Sequence, residues 1–167
     1  MEIFKKKWYL SLIAVIIVVD QISKFFIKGN LKLYDHVTII KGFFEIIYVR
    51  NKGVVWGLFS NSKNHIIPTV ITIISVIALI TVIYIFIKTS KTCKLELISL
   101  SFILGGAIGN IIDRFSIGYV VDFIDIYIKS YHWPTFNVAD SFISVGIILL
   151  LITVLRNKCV TLNTKEN

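Results

Sequence analysis

Residues 66–87 read IIPTVITIISVIALITVIYIFI, and this stretch contains no charged side chain. A helix of about 20 residues crosses the hydrocarbon core of a bilayer, which is about 30 Å thick. A helix in a soluble bundle keeps one polar face for water, and this stretch offers none. The sequence therefore predicts a membrane span here and argues against a soluble helical bundle.

Three further apolar segments accompany this span, at about residues 8–27, 95–115 and 139–155. Inside lipid the backbone must satisfy its own hydrogen bonds, so all of these segments are expected to be helical. The whole chain is 56% hydrophobic, whereas soluble domains are roughly 45–50% apolar. We expect one membrane-embedded domain, residues 1–167, that is all-α in class and has four transmembrane helices.

The first apolar segment has the basic start of a secretory signal peptide, at residues 5–7. It is too long for one, and it carries Asp20, Gln21 and Lys24 where a small-residue cleavage site is expected. We therefore interpret it as an uncleaved first helix.

The chain has a net charge of +8, and its basic residues stand at the ends of the apolar runs. This placement is typical of membrane anchors and not of a nucleic-acid-binding domain. Basic residues precede the first span, fill the short loop after the second span and follow the fourth span. The long segment 29–65 is also basic, but short loops decide orientation more strongly. We expect both termini in the cytoplasm, and segments 29–65 and 116–138 outside.

The outer segments carry two local signals. Residues 36–50, HVTIIKGFFEIIYVR, predict a β-hairpin around the Lys41–Gly42 turn. Residues 54–59, VVWGLF, suggest a short helix in the membrane interface. Segment 116–138 is expected to be a loop whose aromatic side chains lie at the interface.

Several acidic residues lie within or beside the predicted spans, where carboxylates are costly and are functional candidates. Asp20 can pair with Lys24 one helical turn later, and Asp113 has Arg114 beside it, so these two carboxylates are expected to be structural. Asp122 and Asp140 have no cation within four residues. If the third and fourth helices are neighbours, the loop between them brings these two carboxylates together.

Two close carboxylates in a low dielectric share a proton. The ionised member can take a proton from an attacking water, and the protonated member can polarise a peptide carbonyl. Asp140 lies near a helix N-terminus, which favours its charged form, so we place the resting proton on Asp122. The residues alone leave a proton-coupled transporter, a channel or an assembly scaffold as open alternatives.

No metal or redox motif is present in the sequence. Cys93 and Cys159 lack CxxC spacing and are expected to be reduced thiols. The histidines His36, His65 and His132 are scattered, and no HExxH occurs. We expect no metal and no cofactor, and we see no serine–histidine or cysteine–histidine set for another hydrolase mechanism.

Five blocks of the chain resemble the bacterial lipoprotein signal peptidases, also called signal peptidase II. The blocks are DQISK at 20–24, NKGVVW at 51–56, GGAIGNIIDR at 105–114, VDF at 121–123 and FNVADS at 136–141. Trp56 stands where the family more often has phenylalanine, which replaces one aromatic ring with another. The blocks follow the family's order from residue 20 to residue 141.

The resemblance implies an aspartic endopeptidase whose catalytic pair is Asp122 and Asp140. The positions that match residues lining or supporting the family's active site are Asn51, Gly53, Asn110, Asp113, Arg114 and Asn137. Asp20 and Lys24 match a block important for the family's stability. Gly105 and Gly109 form a small-xxx-small pattern, which suits close helix packing.

The resemblance also implies the substrate and the setting. The substrate class is the prolipoprotein whose lipobox cysteine carries diacylglycerol, and the cut falls just before that cysteine. The family's fold adds a small extracytoplasmic β-cradle and an interfacial helix to four transmembrane helices. We expect a monomer in the bacterial cytoplasmic membrane, with the active site near the outer leaflet. Its partners would be the lipid-modified substrate and membrane lipids, with no nucleic acid.

Overall fold

The computed structural model describes residues 6–53 and 66–156. Its helices are α1 (Lys7–Asn30), α2 (Ile66–Lys88), α3 (Lys94–Ile117) and α4 (Val138–Leu155). Its strands are β1 (His36–Ile40), β2 (Phe44–Asn51), β3 (Val120–Ile128) and β4 (Tyr131–His132). The interfacial helix predicted from VVWGLF, residues 54–59, lies outside the described residues.

All of the predicted spans are present as helices long and apolar enough to cross a membrane, which confirms that part of the sequence prediction. The helix α3 is the central one: 61% of its apolar window is buried within the protein, against 6% for α2. The helices α1, α2 and α4 each pack against α3. Their outward faces are apolar and exposed, as lipid-facing surfaces must be.

Glycines on α3 allow the neighbouring helices to approach closely. The helix α1 lies over Gly105 at Ile16 and over Gly109 at Asp20. The N-terminus of α4 lies over Gly106, where a Cβ atom would collide with the carbonyl oxygen of Ala139. These contacts hold Asp20 and the start of α4 close to the C-terminal half of α3.

The strands form one antiparallel sheet in the order β1-β2-β3-β4. The predicted hairpin of β1 and β2 is confirmed. The segment 116–138, expected as the second outer loop, contains β3 and β4. The β3 sequence, VVDFIDIYI, is rich in the β-branched and aromatic residues that favour strands.

The two faces of the sheet differ in polarity, because residues opposite each other on paired strands share a face. One face, called the polar face, carries Thr38, Glu45, Asp125, Tyr127 and His132. The other, called the apolar face, carries Val37, Phe44, Ile46, Ile124 and Ile126.

A register shift in β2 changes which residues of that strand reach the apolar face. Ile46 pairs with Ile124, and Val49, three residues further along, pairs with Asp122. Such an extra residue is a β-bulge. It keeps Val49 beside Asp122 on the apolar face while Tyr48 joins Val121 and Phe123 in a core under the sheet.

The state of Cys93 differs from the expectation. The residue precedes α3 and is disulfide-bonded in the structure, so the prediction of a reduced thiol at this position is wrong. The spacing of the cysteines along the sequence carries no information on which chain segments the fold brings together.

Replacing Gly106 by alanine is expected to destabilise the protein by about 1–3 kcal/mol, because the added methyl group has to displace the backbone of α4. Thermal unfolding in detergent measures the change. Gly29→Ala is the matched control, because a Cβ at this helical glycine of α1 meets no atom. Equal unfolding temperatures for the two variants would contradict the close contact between α3 and α4.

Candidate active site

A buried ion cluster joins α1 to α3 below the sheet. The Lys24 side chain is 1% exposed, and its Nζ lies 2.8 Å from Asp20 Oδ2 and 3.1 Å from Asp113 Oδ2. The i, i+4 pair predicted for Asp20 and Lys24 is therefore present. The cation within ion-pair distance of Asp113 is Lys24 and not its sequence neighbour Arg114. Pairing is what makes these charges tolerable in a low dielectric.

Both carboxylates of this cluster also accept hydrogen bonds from backbone amides next to the proposed catalytic pair. Asp113 Oδ2 accepts a hydrogen bond from the amide of Val121 at 3.1 Å, one residue before Asp122. Asp20 Oδ1 accepts one from the amide of Ala139 at 3.0 Å, one residue before Asp140. Asp20 and Asp113 therefore fix the start of β3 and the start of α4 relative to the helices.

Asn137 contacts both members of the pair. Its side-chain oxygen accepts from the amide of Asp140 at 2.9 Å, and Asp140 Oδ2 accepts from the amide of Asn137 at 3.2 Å. This reciprocal arrangement is a capping box at the N-terminus of α4. The side-chain nitrogen of Asn137 donates to Asp122 Oδ1 at 2.7 Å. Asn137 thus holds both carboxylates, that of Asp122 through its buried side chain and that of Asp140 through its backbone amide.

Three asparagines direct their amide nitrogens at the two aspartates. Asn51 donates to Asp122 Oδ2 at 2.8 Å, and Asn110 donates to Asp140 Oδ1 at 2.7 Å. The carbonyl oxygen of each asparagine accepts from a group that can only donate: the Gly53 amide for Asn51, Lys24 for Asn110 and the Asp140 amide for Asn137. These donors determine which way round each side-chain amide lies.

The turn after β2 requires glycine at position 53. Gly53 has φ +93°, a backbone conformation that residues other than glycine rarely adopt. Its amide donates to Asn51 Oδ1 at 2.7 Å, so the turn orients the amide that reaches Asp122. Gly53 is therefore a positioning residue for Asn51.

Burial raises the pKa of Asp122 to about 7. The desolvation of this carboxyl is the largest cause, and repulsion from Asp140 adds to it. The hydrogen bonds from Asn51 and Asn137 act in the opposite direction. The raised pKa favours the hypothesis that Asp122 carries the shared proton at rest.

A groove of about 580 Å³ opens between α2 and the C-terminal end of α3. Its lining includes Thr72 and Val76 from α2, and Arg114 and Gly118 from the end of α3. Arg114 thus lies on the groove and not in the ion cluster of Lys24. The sequence alone did not indicate that α2 lines this groove, although Thr69 and Thr72 lie one turn apart at the start of the helix.

The arrangement is suited to acid–base chemistry carried by protein groups. The carboxyl groups of Asp122 and Asp140 are held by amides whose orientation is set, and Asp122 is 2% exposed. Across residues 6–53 and 66–156, the His, Cys, Asp and Glu side chains form no cluster of three that could bind a metal ion.

Replacing Asp140 by asparagine is expected to lower the pKa of Asp122 below about 7, because it removes the repulsion from a second carboxylate. The carbonyl stretch of the protonated Asp122 carboxyl, followed by infrared difference spectroscopy against pH, reports this pKa. The band is identified by its loss in Asp122→Asn. A band that titrates at the same pH with and without Asp140 would show that the two carboxyls are not coupled.

Comparison with known proteins gives the family. The family model described as signal peptidase (SPase) II matches residues 12–156. The lipoprotein signal peptidase of Geobacter metallireducens is 40% identical over 145 residues, which cover 87% of this chain and 88% of that protein. The lipoprotein signal peptidase of Syntrophus aciditrophicus is 34% identical over 156 residues, which cover 92% of this chain and 97% of that protein.

A solved structure has the same fold. It is described as a bacterial membrane enzyme structure obtained by the in meso method at 2.3 Å resolution, and it superposes with a TM-score of 0.79 at 35% identity. The match covers 97% of this chain and 94% of the other. The residues matched by the family model, 12–156, include the ion cluster, the three asparagines and both aspartates. The chain therefore belongs to the signal peptidase II family and is a membrane-embedded peptidase.

Proposed function

We propose that this chain is an aspartic endopeptidase that removes the signal peptide from diacylglyceryl-modified prolipoproteins. Water attacks the peptide bond just before the lipobox cysteine, and Asp122 and Asp140 act on that water and on the carbonyl. The observation that carries the proposal is the contact of Asn137 with both carboxyl groups, at 2.7 Å and 3.2 Å. The names of the relatives supply the substrate class.

The chemistry follows from the unequal surroundings of the two carboxyls. Asp140, in the first turn of α4, is the ionised member and takes a proton from the attacking water. Asp122, with a pKa raised to about 7, is the protonated member and donates a hydrogen bond to the scissile carbonyl. As the tetrahedral intermediate collapses, a proton passes to the leaving amine. No covalent intermediate with the enzyme is formed.

The groove between α2 and α3 is the proposed site for the lipid of the substrate. Its walls carry apolar side chains together with the two threonines of α2, and Arg114 lies at the end of α3, where β3 begins two residues after Gly118. Each methylene group buried there contributes about 0.8 kcal/mol to binding. The acyl chains would thus hold the lipidated cysteine at the depth of Asp122 and Asp140.

The proposed setting is the bacterial cytoplasmic membrane. The basic residues at the chain ends and in the loop between α2 and α3 support an orientation with both termini in the cytoplasm. The sheet and the aspartate pair then lie at the outer leaflet, where a precursor arrives after export. We propose that the monomer is the active unit, because one chain supplies both aspartates and the three asparagines that donate to them.

Asp122→Asn and Asp140→Asn are each expected to lower the cleavage rate by about 100- to 10,000-fold, because each removes one proton-transfer group. A diacylglyceryl-modified prolipoprotein is incubated with the purified enzyme, and the size shift on a gel is followed. Asp35→Asn, at an aspartate outside this network whose Oδ2 accepts from the Lys32 amide, is the matched control and should cleave normally.

The outcomes separate the candidate functions. Normal cleavage by a folded Asp122 or Asp140 variant would remove that residue from catalysis. A folded wild-type protein that leaves the precursor intact would favour the transport or scaffold alternatives.

Filling the groove with Val76→Trp is expected to raise KM for the diacylglyceryl substrate about ten-fold or more, because displacing two methylene groups costs about 1.6 kcal/mol. Steady-state kinetics in lipid nanodiscs measure KM and kcat separately. Ile80→Trp is the control, since Ile80 is an exposed residue of α2 outside the groove lining. An unchanged KM for Val76→Trp would place the acyl chains elsewhere.

A further inference from the structure

Two turns meet at the end of the sheet farthest from Asp122. The first turn joins β1 to β2, and the second joins β3 to β4. The Gly42 amide donates to the Tyr127 hydroxyl at 3.0 Å, and the Tyr127 amide donates to the Phe43 carbonyl at 2.9 Å. These hydrogen bonds hold the two turns side by side. Residues 40–43 and 128–133 are called the sheet tip below.

The sheet tip exposes large apolar side chains that no described residue covers. Trp133 is 60% exposed, Tyr131 69% and Ile128 65%, and Ile40 and Phe43 are about half-exposed. Ile128 and Tyr131 pair directly and follow Ile126 on the apolar face. The tip thus extends the apolar face of the sheet beyond the helical bundle, and contiguous exposed apolar surface of this kind marks an interaction site.

The charges at the sheet tip are of one sign. Each turn presents one exposed lysine, Lys41 in the first and Lys129 in the second. The nearby acids lie on the polar face and are engaged there: Glu45 Oε1 accepts from Thr38 and Tyr127, and Asp125 Oδ2 lies 2.7 Å from His132 Nδ1. The tip therefore offers apolar and cationic groups together, with the acids turned to the other side.

We propose that the sheet tip is seated in the membrane interface, with Trp133, Tyr131 and Ile128 among the lipids and with Lys41 and Lys129 on anionic phospholipid headgroups. Tryptophan and tyrosine favour the headgroup level of a bilayer. Lysine stems lie along apolar surface while their charges reach anionic lipid. Under the orientation proposed above, the leaflet is the outer one. On the polar face, the half-exposed His132 is turned to water and covers the buried Asp125.

This contact anchors the sheet at both ends, since the helices hold the end near Asp122 and lipid holds the tip. The distance between Asp122 and the bilayer surface is then set by two attachments. The inference does not depend on the catalytic proposal, because it concerns where the sheet lies and not what the aspartates do.

Trp133 provides the probe. A single-tryptophan protein, made with Trp8→Phe and Trp56→Phe, is placed in nanodiscs without substrate. The lipids carry bromine, which quenches nearby tryptophan, either close to the headgroup or near the end of the acyl chain. We expect a larger loss of Trp133 emission with the shallow bromine than with the deep one. Brominated phosphatidylglycerol should quench more than brominated phosphatidylcholine, with an enrichment of roughly five-fold per lysine.

The lysines are tested with Lys41→Gln combined with Lys129→Asn, since asparagine tolerates the positive φ at position 129. This variant should lose the preference for the anionic lipid. Lys91→Gln combined with Lys94→Gln, at the opposite end of the bundle, is the matched control and should keep it.

Two results would overturn the proposal. Trp133 emission that is quenched by aqueous acrylamide and not by either bromolipid would place the tip in water. Emission protected from both quenchers would show that protein, such as a second copy of the chain, covers the tip. An anionic preference that survives loss of both lysines would refute their part in it.

Discussion

The ammonium group of Lys24, enclosed between Asp20 and Asp113, is the interaction on which the rest of the structure depends. A charge at this depth is tolerated only when it is paired and hydrogen-bonded, so α1 and α3 must pack with their polar residues in register. The glycines at positions 105 and 109 allow that approach. The same ammonium holds the carbonyl oxygen of Asn110 at 2.9 Å, which turns the amide nitrogen toward Asp140.

The proposed site uses interactions that the fold needs in any case. Asn137 begins α4 as its N-cap, and the same side chain donates to Asp122. The bulge in β2 allows Val49 to face the same way as Asp122 while Tyr48 enters the core. Loss of such a residue would therefore change stability and proton chemistry together, because one hydrogen-bond network carries both.

The features predictable from sequence were those encoded locally. Residues 66–87 indicate a span by themselves, and the Asp20–Lys24 pair follows from helical spacing. The hairpin of β1 and β2 follows from the Lys41–Gly42 turn. The strand β3 was not predicted, because its partner β2 is distant in the chain.

Contacts between helices could not be predicted from local sequence patterns. No spacing rule relates Lys24 to Asp113, and none relates Asp20 to the amide of Ala139. The resemblance to a family pointed to Asn51, Asn110 and Asn137 as site residues. Only the fold gives the direction of each side-chain amide, because that direction depends on which donor meets the carbonyl oxygen.

The hydrogen bond from Ala139 to Asp20 joins residues 119 positions apart, and this has a consequence for the order of events during synthesis. The first helix enters the bilayer with both Asp20 and Lys24, so the charge of Lys24 is already paired before α3 is made. The amide of Ala139 and the side chain of Asn137 reach the membrane with the last helix. A nascent chain therefore has the Asp20–Lys24 ion pair from its first helix onward, and the backbone that leads to Asp140 can bind Asp20 only after the last helix has been made.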